Sequence, residues 1–334
     1  MTRSTRNPLR VTVRHGKAQD PMDITLHLGA HRSASTVFQN YMSENRHELA
    51  NRGIGYWGPQ HTRSGLLRGV VAVPGAIAEP TAQFRRARGR IALNLKQVEG
   101  RGLRQLIISD ENMIGAPRRN LRESKLYGAI GQRLARYGEA FDGRIARVVL
   151  SIRSQDRWWS SVAAFSVGRG HRVPTKDDLD RLVTTNRHWR DVITDLACAL
   201  PGAALIVLPY ETWGGVPEKK LTLMTGLANP PMTYAREWLN RAPGLAQLRQ
   251  VLRDRGLKPE GLLPEGEGRW QPFDTAQTMA LREAYADDLF WLRAGADGLA
   301  TLIEETGTDK TGKTPLSSQT TRGQSYGIEE RRLA

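Results

Sequence analysis

Four short aliphatic runs punctuate the chain, at Ile24–Leu28 (ITLHL), Leu106–Ser109 (LIIS), Arg147–Ile152 (RVVLSI) and Ala204–Pro209 (ALIVLP). Each is nearly continuous rather than alternating, the pattern of a strand covered on both faces in a parallel sheet. Between and after them, apolar residues recur with helical spacing over Ser35–Leu49, Leu121–Tyr137, Arg157–Val167, Lys176–Leu200, Glu237–Arg255 and Asp274–Glu305. Strands separated by helices predict a three-layer α/β domain, a central parallel sheet flanked by helices, over residues 22–306. The first 21 residues carry Arg3, Arg6, Arg10, Arg14 and Lys17 with almost no apolar periodicity, and residues 307–334 are rich in Thr, Gly, Ser and Lys. Both ends are expected to be disordered, the first as a basic leader, and Met22 stands as a second candidate start just before the first strand.

Composition narrows this picture. With 334 residues, 39% of them hydrophobic and 25% charged, the chain can bury a substantial core in one large domain. It shows no unbroken apolar run long enough for a membrane span or a secretory signal, so a soluble, cytoplasmic protein is expected. The single cysteine, Cys198, sits in the apolar run Val192, Ile193, Leu196, Leu200 and reads as a buried, unreactive thiol. A net charge of +15 and a pI near 10.4 point to anionic partners. Nine of the 49 basic residues are lysine and the rest arginine, a lean that codon bias and bidentate oxyanion recognition explain equally well.

The segment ITLHLGAHRSASTVFQNYM reads as a strand, a loop opened by Gly29 and a helix. Such a turn aims unpaired backbone N–H groups and the positive end of a helix at one point, where an oxyanion is the natural occupant, with serines that merely cap the helix as the structural alternative. Against the Walker A pattern, Gly29 and Thr36 fit the ends, but Ala34 stands for the second glycine and Ser35 for the lysine. The cation comes instead from Arg32. HRSAST in this setting resembles the phosphosulfate-binding loop of the PAPS-dependent sulfotransferases, with Arg32 at the position of the family's lysine and Ala34 at that of its glycine. Ser33 matches the loop serine, and Ser35 and Thr36 the hydroxyl pair. The resemblance implies a sulfotransferase architecture akin to the P-loop NTPases, and PAPS as donor with PAP as product.

A second strand-loop-helix, RVVLSIRSQDRWWSSVAAF, places Arg153 at a strand end and Ser161 eight residues on. Ligands of open α/β sheets bind at such strand ends. In the sulfotransferases an arginine and a serine so arranged hold the 3′-phosphate of PAPS, which implies that role for Arg153 and Ser161. Ser154 and Asp156 are expected to cap the helix, and Trp158 and Trp159 to pack rather than to stack on adenine. LIVLPYETW and Arg282–Leu292 resemble the family's later strand and last helix, so the resemblance spans residues 23–305. Tyr210 and Glu211 read as a structural hydrogen-bonded pair.

LIISDEN puts Asp110 and Glu111 just past a strand end. An apolar run followed by Asp-Glu also fits a Walker B element, although the loop lysine that should accompany it is missing. In the sulfotransferase reading this strand end supplies the general base. Glu111 is the candidate and Asp110 its competitor, with turn capping or pairing to arginine as the purely structural alternative. No metal is implied. The expected mechanism is in-line displacement, with Glu111 taking the acceptor's proton and Arg32 opposing charge on the leaving oxygen.

Other features carry less. His27 and His31 lie across a strand-loop junction, not on a helix face, which argues against a zinc pair, although His31 stands close enough to the loop to touch the donor. His61, His171 and His188 read as surface or satisfied core residues. Arg85, Arg86, Arg88 and Arg90 read as a solvated helix face, with an acceptor-binding insertion as the alternative. The acceptor, a small molecule or a glycan and anionic ones included, is expected to be held by segments around residues 57–100 and 167–190. Two rivals stand beside the transferase: an ATP-dependent kinase or NTPase of related fold, and a basic nucleic-acid-binding protein, against which the absence of any recognisable module argues.

Overall fold

A computed structural model describes residues 22–72 and 79–305; the expectations for the leader and the tail fall outside them. The chain runs β1 (Asp23–Gly29), α1 (Ser35–Glu44), α2 (Arg46–Asn51), β2 (Ile54–Trp57), α3 (Pro59–His61), α4 (Pro80–Gly100), β3 (Gln105–Ser109), α5 (Pro117–Glu123), α6 (Ile130–Ala140) and β4 (Ile145–Ile152). It continues with α7 (Gln155–Gly168), α8 (Lys176–Val183), α9 (Trp189–Ala199), β5 (Ala204–Pro209), α10 (Tyr210–Trp213), α11 (Pro217–Thr225), α12 (Leu245–Asp254), α13 (Thr275–Arg293) and β6 (Thr301–Leu302).

The strands form one parallel sheet in the order β2-β3-β1-β4-β5-β6. Its two faces divide the apolar residues with period two. Leu106, Ile108, Val148, Leu150, Leu205 and Val207 pack under α4, α6, α7, α9 and α13, whereas Ile107, Val149, Ile206 and Leu208 pack against α1, α2 and α11. This double coverage is why the strands read as continuous apolar runs. A third cluster seats α12 and Trp270 on Ala163, Ala164 and Val167 of α7.

The fold class is the expected one, and all four predicted strands are present. β2 and β6 went unpredicted because four residues containing a glycine, and two residues alone, carry too little pattern. The Arg85–Arg90 stretch belongs to the 21-residue helix α4, begun by Pro80 and by Glu79, whose carboxylate accepts from the N–H groups of Thr81 and Ala82. Its buried stripe, Phe84, Ala87, Ile91, Leu95 and Val98, puts Arg85, Arg86 and Arg88 in solvent, as a solvated face requires. Several predicted helices are shorter: Ser35–Leu49 breaks at Asn45, Lys176–Leu200 between Val183 and Trp189, and the last stops at Gly295, whose φ of 104° ends the helix. Residues 237–244, expected as part of a helix, precede α12 as a strap without regular structure, with Asn240 in a left-handed backbone (φ 53°).

Cys198 corrects the reading of a buried thiol. It is exposed, because the apolar stripe of α9 runs through Trp189, Val192, Ile193 and Leu196 on the other face. Trp158 and Trp159 are fully buried and pack edge to face, with ring centroids 4.6 Å apart. Among the described residues, no helix is long and apolar enough to cross a membrane.

Candidate active site

The strand order reverses at β1, which has β3 on one side and β4 on the other, so the loops after β1, β3 and β4 open onto one crevice at the carboxyl edge of the sheet. Register keeps their ends level: His27 pairs with Ser109, Gly29 with Ser151 and Ile152 with Pro209. Topology therefore gathers Arg32, Glu111, Arg153 and Tyr210 from four separate segments.

The first loop is tightly wound. Arg32 and Ala34 adopt left-handed backbones, with φ of 66° and 62°. Ser33 donates its N–H to Ala30 O at 3.1 Å, and its hydroxyl turns back to the same carbonyl. The Ser35 hydroxyl donates 3.2 Å to Gly29 O, close enough that a Cβ on Gly29 would stand 2.3 Å from it. The first turn of α1 has no side-chain cap, and Ala34, Ser35, Thr36 and Val37 line the crevice there, a helix end of the kind that suits an anion.

A cavity of about 530 Å³ opens there, walled by Arg32, Ala34, Ser35, Thr36, Arg153 and Ser161, and by Tyr210, Trp238, Arg241, Arg269 and Trp270. Of the residues assigned to donor binding, only Ser33 is absent from the wall: it is fully buried and serves the turn. Arg32 Nε donates to Ser161 Oγ at 3.1 Å, and Arg153 Nη1 to Arg32 O at 2.8 Å. Their planes stack on aromatic rings, Arg32 on Phe165 at 4.9 Å and Arg153 on Tyr210 at 4.4 Å. Burial and then the repulsion of Arg153 hold Arg32 down to about 10, so both remain cationic at neutral pH. Neither pairs with a carboxylate among the described residues, and Arg153 Nε is buried without a partner. Two like charges and an orphaned buried donor in one cavity form a site short of an anion.

Glu111 opens a 3₁₀ turn over Glu111–Ile114. One carboxylate oxygen accepts from Gln39 Nε2 at 2.6 Å and the other from Arg63 Nη2 at 3.0 Å. Burial pushes its pKa up, but the Gln39 amide, backbone N–H, His31 and Arg63 together outweigh this and leave it below the ordinary value. Asp110 is spent on structure: it accepts from Thr62 Oγ1 at 2.6 Å, Arg63 Nη2 at 2.6 Å and Asn112 N at 3.0 Å, and lines neither of the two joined cavities. His31 lines both cavities, 3.0 Å from the Tyr127 hydroxyl and 3.2 Å from the Asn112 amide, and burial lowers its pKa while the nearby Glu111 carboxylate opposes that shift.

In front of Glu111 lies a second cavity of about 1020 Å³. The two share His31, Thr36, Glu111, Pro117, Phe165, Leu239 and Asn240. Gly58, Pro59, Gln60, His61, Arg63, Ser64, Arg169 and His171 line the second cavity, within the segments expected to hold an acceptor, but so do Gln39, Asn40, Ser43, Glu44 and Arg46 of α1 and α2, which were not expected. Tyr210 and Glu211 do not bond each other: Glu211 accepts from Ser154 N and from the Tyr285 hydroxyl, both at 3.0 Å, while Tyr210 lines the smaller cavity. Ser154 occupies the N-cap of α7, but its side chain accepts from no backbone N–H of the first turn; its hydroxyl donates instead to the Asp156 carboxylate, which also accepts from Arg282 at 2.9 Å. Gln39, Arg63, Trp238 and Trp270 carry no local motif, and sequence reading missed them. No family model matches the chain, and no curated protein matches it.

Proposed function

We propose that the protein is a PAPS-dependent sulfotransferase that transfers a sulfuryl group to an oxygen or nitrogen of an acceptor seated in the larger cavity. The observation that carries this reading is the pair of guanidinium groups of Arg32, half-buried, and Arg153, buried, neither in an ion pair with a carboxylate among the described residues, in one cavity that meets a second cavity at Glu111. A doubly phosphorylated nucleotide supplies the missing negative charge, and Trp238 and Trp270 offer flat apolar surface for its base. When bound, PAPS brings an activated sulfuryl group: the acceptor oxygen bonds to sulfur as the sulfur–oxygen bond to phosphate breaks and its electron pair leaves with PAP.

Glu111 is ionised at neutral pH and keeps lone pairs beyond those used by Gln39 and Arg63, so it can take the acceptor's proton. Arg32 and the helix N-terminus oppose the negative charge that builds on the phosphate side. Thr36 lines both cavities, its hydroxyl accepting from Asn240 Nδ2 at 3.4 Å, whereas the Ser35 hydroxyl is turned to Gly29. A kinase or NTPase would use the Asp-Glu pair to hold magnesium, but Asp110 is consumed by Thr62 and Arg63 and faces away from the crevice.

Thermal shift and calorimetry test the reading. PAP at a hundred times its Kd stabilises the fold by about 2.7 kcal/mol, with or without magnesium. Magnesium-dependent stabilisation by ATP with none by PAP would establish the kinase reading instead, and salt-sensitive binding of random oligonucleotides indifferent to PAP would establish the nucleic-acid one.

A further inference from the structure

The larger cavity has a wall chemistry that selects among acceptors. At about 1020 Å³ it is about twice the donor cavity and stands at the top of the roughly 300–1,000 Å³ range of small-ligand sites, so it has room for more than one ring. Small-ligand pockets are mostly apolar, yet this one presents the amides and hydroxyls of Gln39, Asn40, Ser43, Gln60, Ser64 and Asn112. Gln39, Asn40, Ser64 and Asn112 already bond within the protein, but the side chains of Ser43 and Gln60 have no hydrogen-bond partner among the described residues, and a flat phenol or steroid would cover them without one, at a cost that works against binding. An acceptor bearing hydroxyls along its length would satisfy them.

Charge adds a second constraint. Arg46, Arg118 and Arg169 line the same cavity, and none of them forms an ion pair with a carboxylate among the described residues. Arg63 is different, being committed to Asp110 and Glu111. The three uncommitted guanidinium groups come from α2, α5 and the turn after α7, so they surround the opening rather than forming one exposed run along a helix. Glu44 and Glu111 are the opposing carboxylates of the lining, and Glu111 is already engaged. An acceptor with a hydroxyl at Glu111 and carboxylates farther out matches this layout, because a planar guanidinium takes a carboxylate by two bonds.

Resting on the transferase reading, we infer that the acceptor is an acidic oligosaccharide, a chain of sugar rings with carboxylate groups, whose free hydroxyl receives the sulfuryl group beside Glu111. The test uses the full chain with PAPS and unsulfated uronate oligosaccharides, their carboxyl-reduced neutral counterparts, p-nitrophenol and an acidic tyrosine peptide. PAP calorimetry is run first, and a protein that does not bind PAP removes the transferase reading and this inference together. With PAP bound, the expected result is a kcat/KM at least tenfold higher for the uronate oligosaccharide than for its neutral counterpart, a preference that shrinks as salt screens the charges. The double variant Arg118→Gln, Arg169→Gln should raise KM for the acidic acceptor about tenfold and erase the preference, while PAP affinity, read by calorimetry, reports that the donor cavity is intact. Higher turnover with the phenol, the peptide or the neutral sugar, or no calorimetric binding of the uronate oligosaccharide to the PAP-saturated protein, overturns the acceptor class and leaves the transferase reading standing.

Discussion

Arg153 reaches from the end of β4 to the loop after β1 and donates Nη1 to the Arg32 carbonyl at 2.8 Å. One guanidinium thus holds the backbone of the loop whose own arginine faces the same cavity, while its Nε is buried and unpaired. The two strand-loop-helix units are therefore tied to each other across the strand pair β1 and β4.

Replacing Arg153 with lysine keeps the charge but cannot both hold the carbonyl and offer a second planar donor. Arg153→Lys should weaken PAP binding by about tenfold and Arg153→Ala by more, each hydrogen bond to a charged group being worth about 1.5–3 kcal/mol. Calorimetric titration decides it. Unchanged affinity in both variants would remove Arg153 from the donor site.

Ala34 occupies a left-handed backbone, φ 62°, at the position where the resemblance has glycine. A non-glycine residue there costs about 1–2 kcal/mol, against about 0.4–1 kcal/mol that alanine recovers by restricting the unfolded chain. Ala34→Gly should therefore raise stability by up to about 1 kcal/mol without weakening PAP binding, as urea denaturation would report. A clear loss of stability would mean that the loop does not hold this conformation.

How much of this was readable beforehand follows from the range over which each signal acts. The loops carrying Arg32 and Arg153 are local devices, a strand end followed by a helix start, and they were legible because all their parts fall within a few residues. Glu111 was preferred to Asp110 from the resemblance, but the physical reason lies in Thr62 and Arg63, which immobilise Asp110 from some 47 residues away in sequence. Gln39 was invisible in the same way. It sits on a helix face that reads as core, and only the folded sheet brings it 2.6 Å from Glu111. Cys198 was misplaced because the apolar run was taken whole, without asking which face of α9 the residue occupies.

The two carboxylates should separate cleanly by substitution. Glu111→Gln should lower kcat by about a hundredfold or more with the fold intact, since general-base contributions are of order 10²–10⁴. Asp110→Asn should chiefly destabilise the protein, because it weakens a buried partner of Arg63 and Thr62. Gln39→Met adds a pH signature. The Gln39 amide helps hold the Glu111 pKa below its ordinary value, so removing it moves the acidic limb of the kcat/KM profile to higher pH. A variant whose acidic limb coincides with that of the unmodified enzyme would show that a different group supplies the base.

Lys220 offers a test of the core that does not depend on function. It is 1% exposed on α11, and burial lowers its pKa from 10.5 to about 8; its charge also lowers the pKa of His27, secondary to burial. Between those values the unfolded chain holds a proton that the folded protein has released, so stability rises with pH across that window, and below about 8 the full penalty of a buried ammonium applies. Lys220→Met, close in shape and without charge, should be more stable than the unmodified protein at pH 7, and the gap should narrow as pH rises toward 10.5. Urea denaturation of both proteins at neutral pH and at about pH 9.5 measures it. A gap that stays constant, or that favours lysine at neutral pH, would mean that the ammonium keeps contact with water or a compensating charge in the folded state.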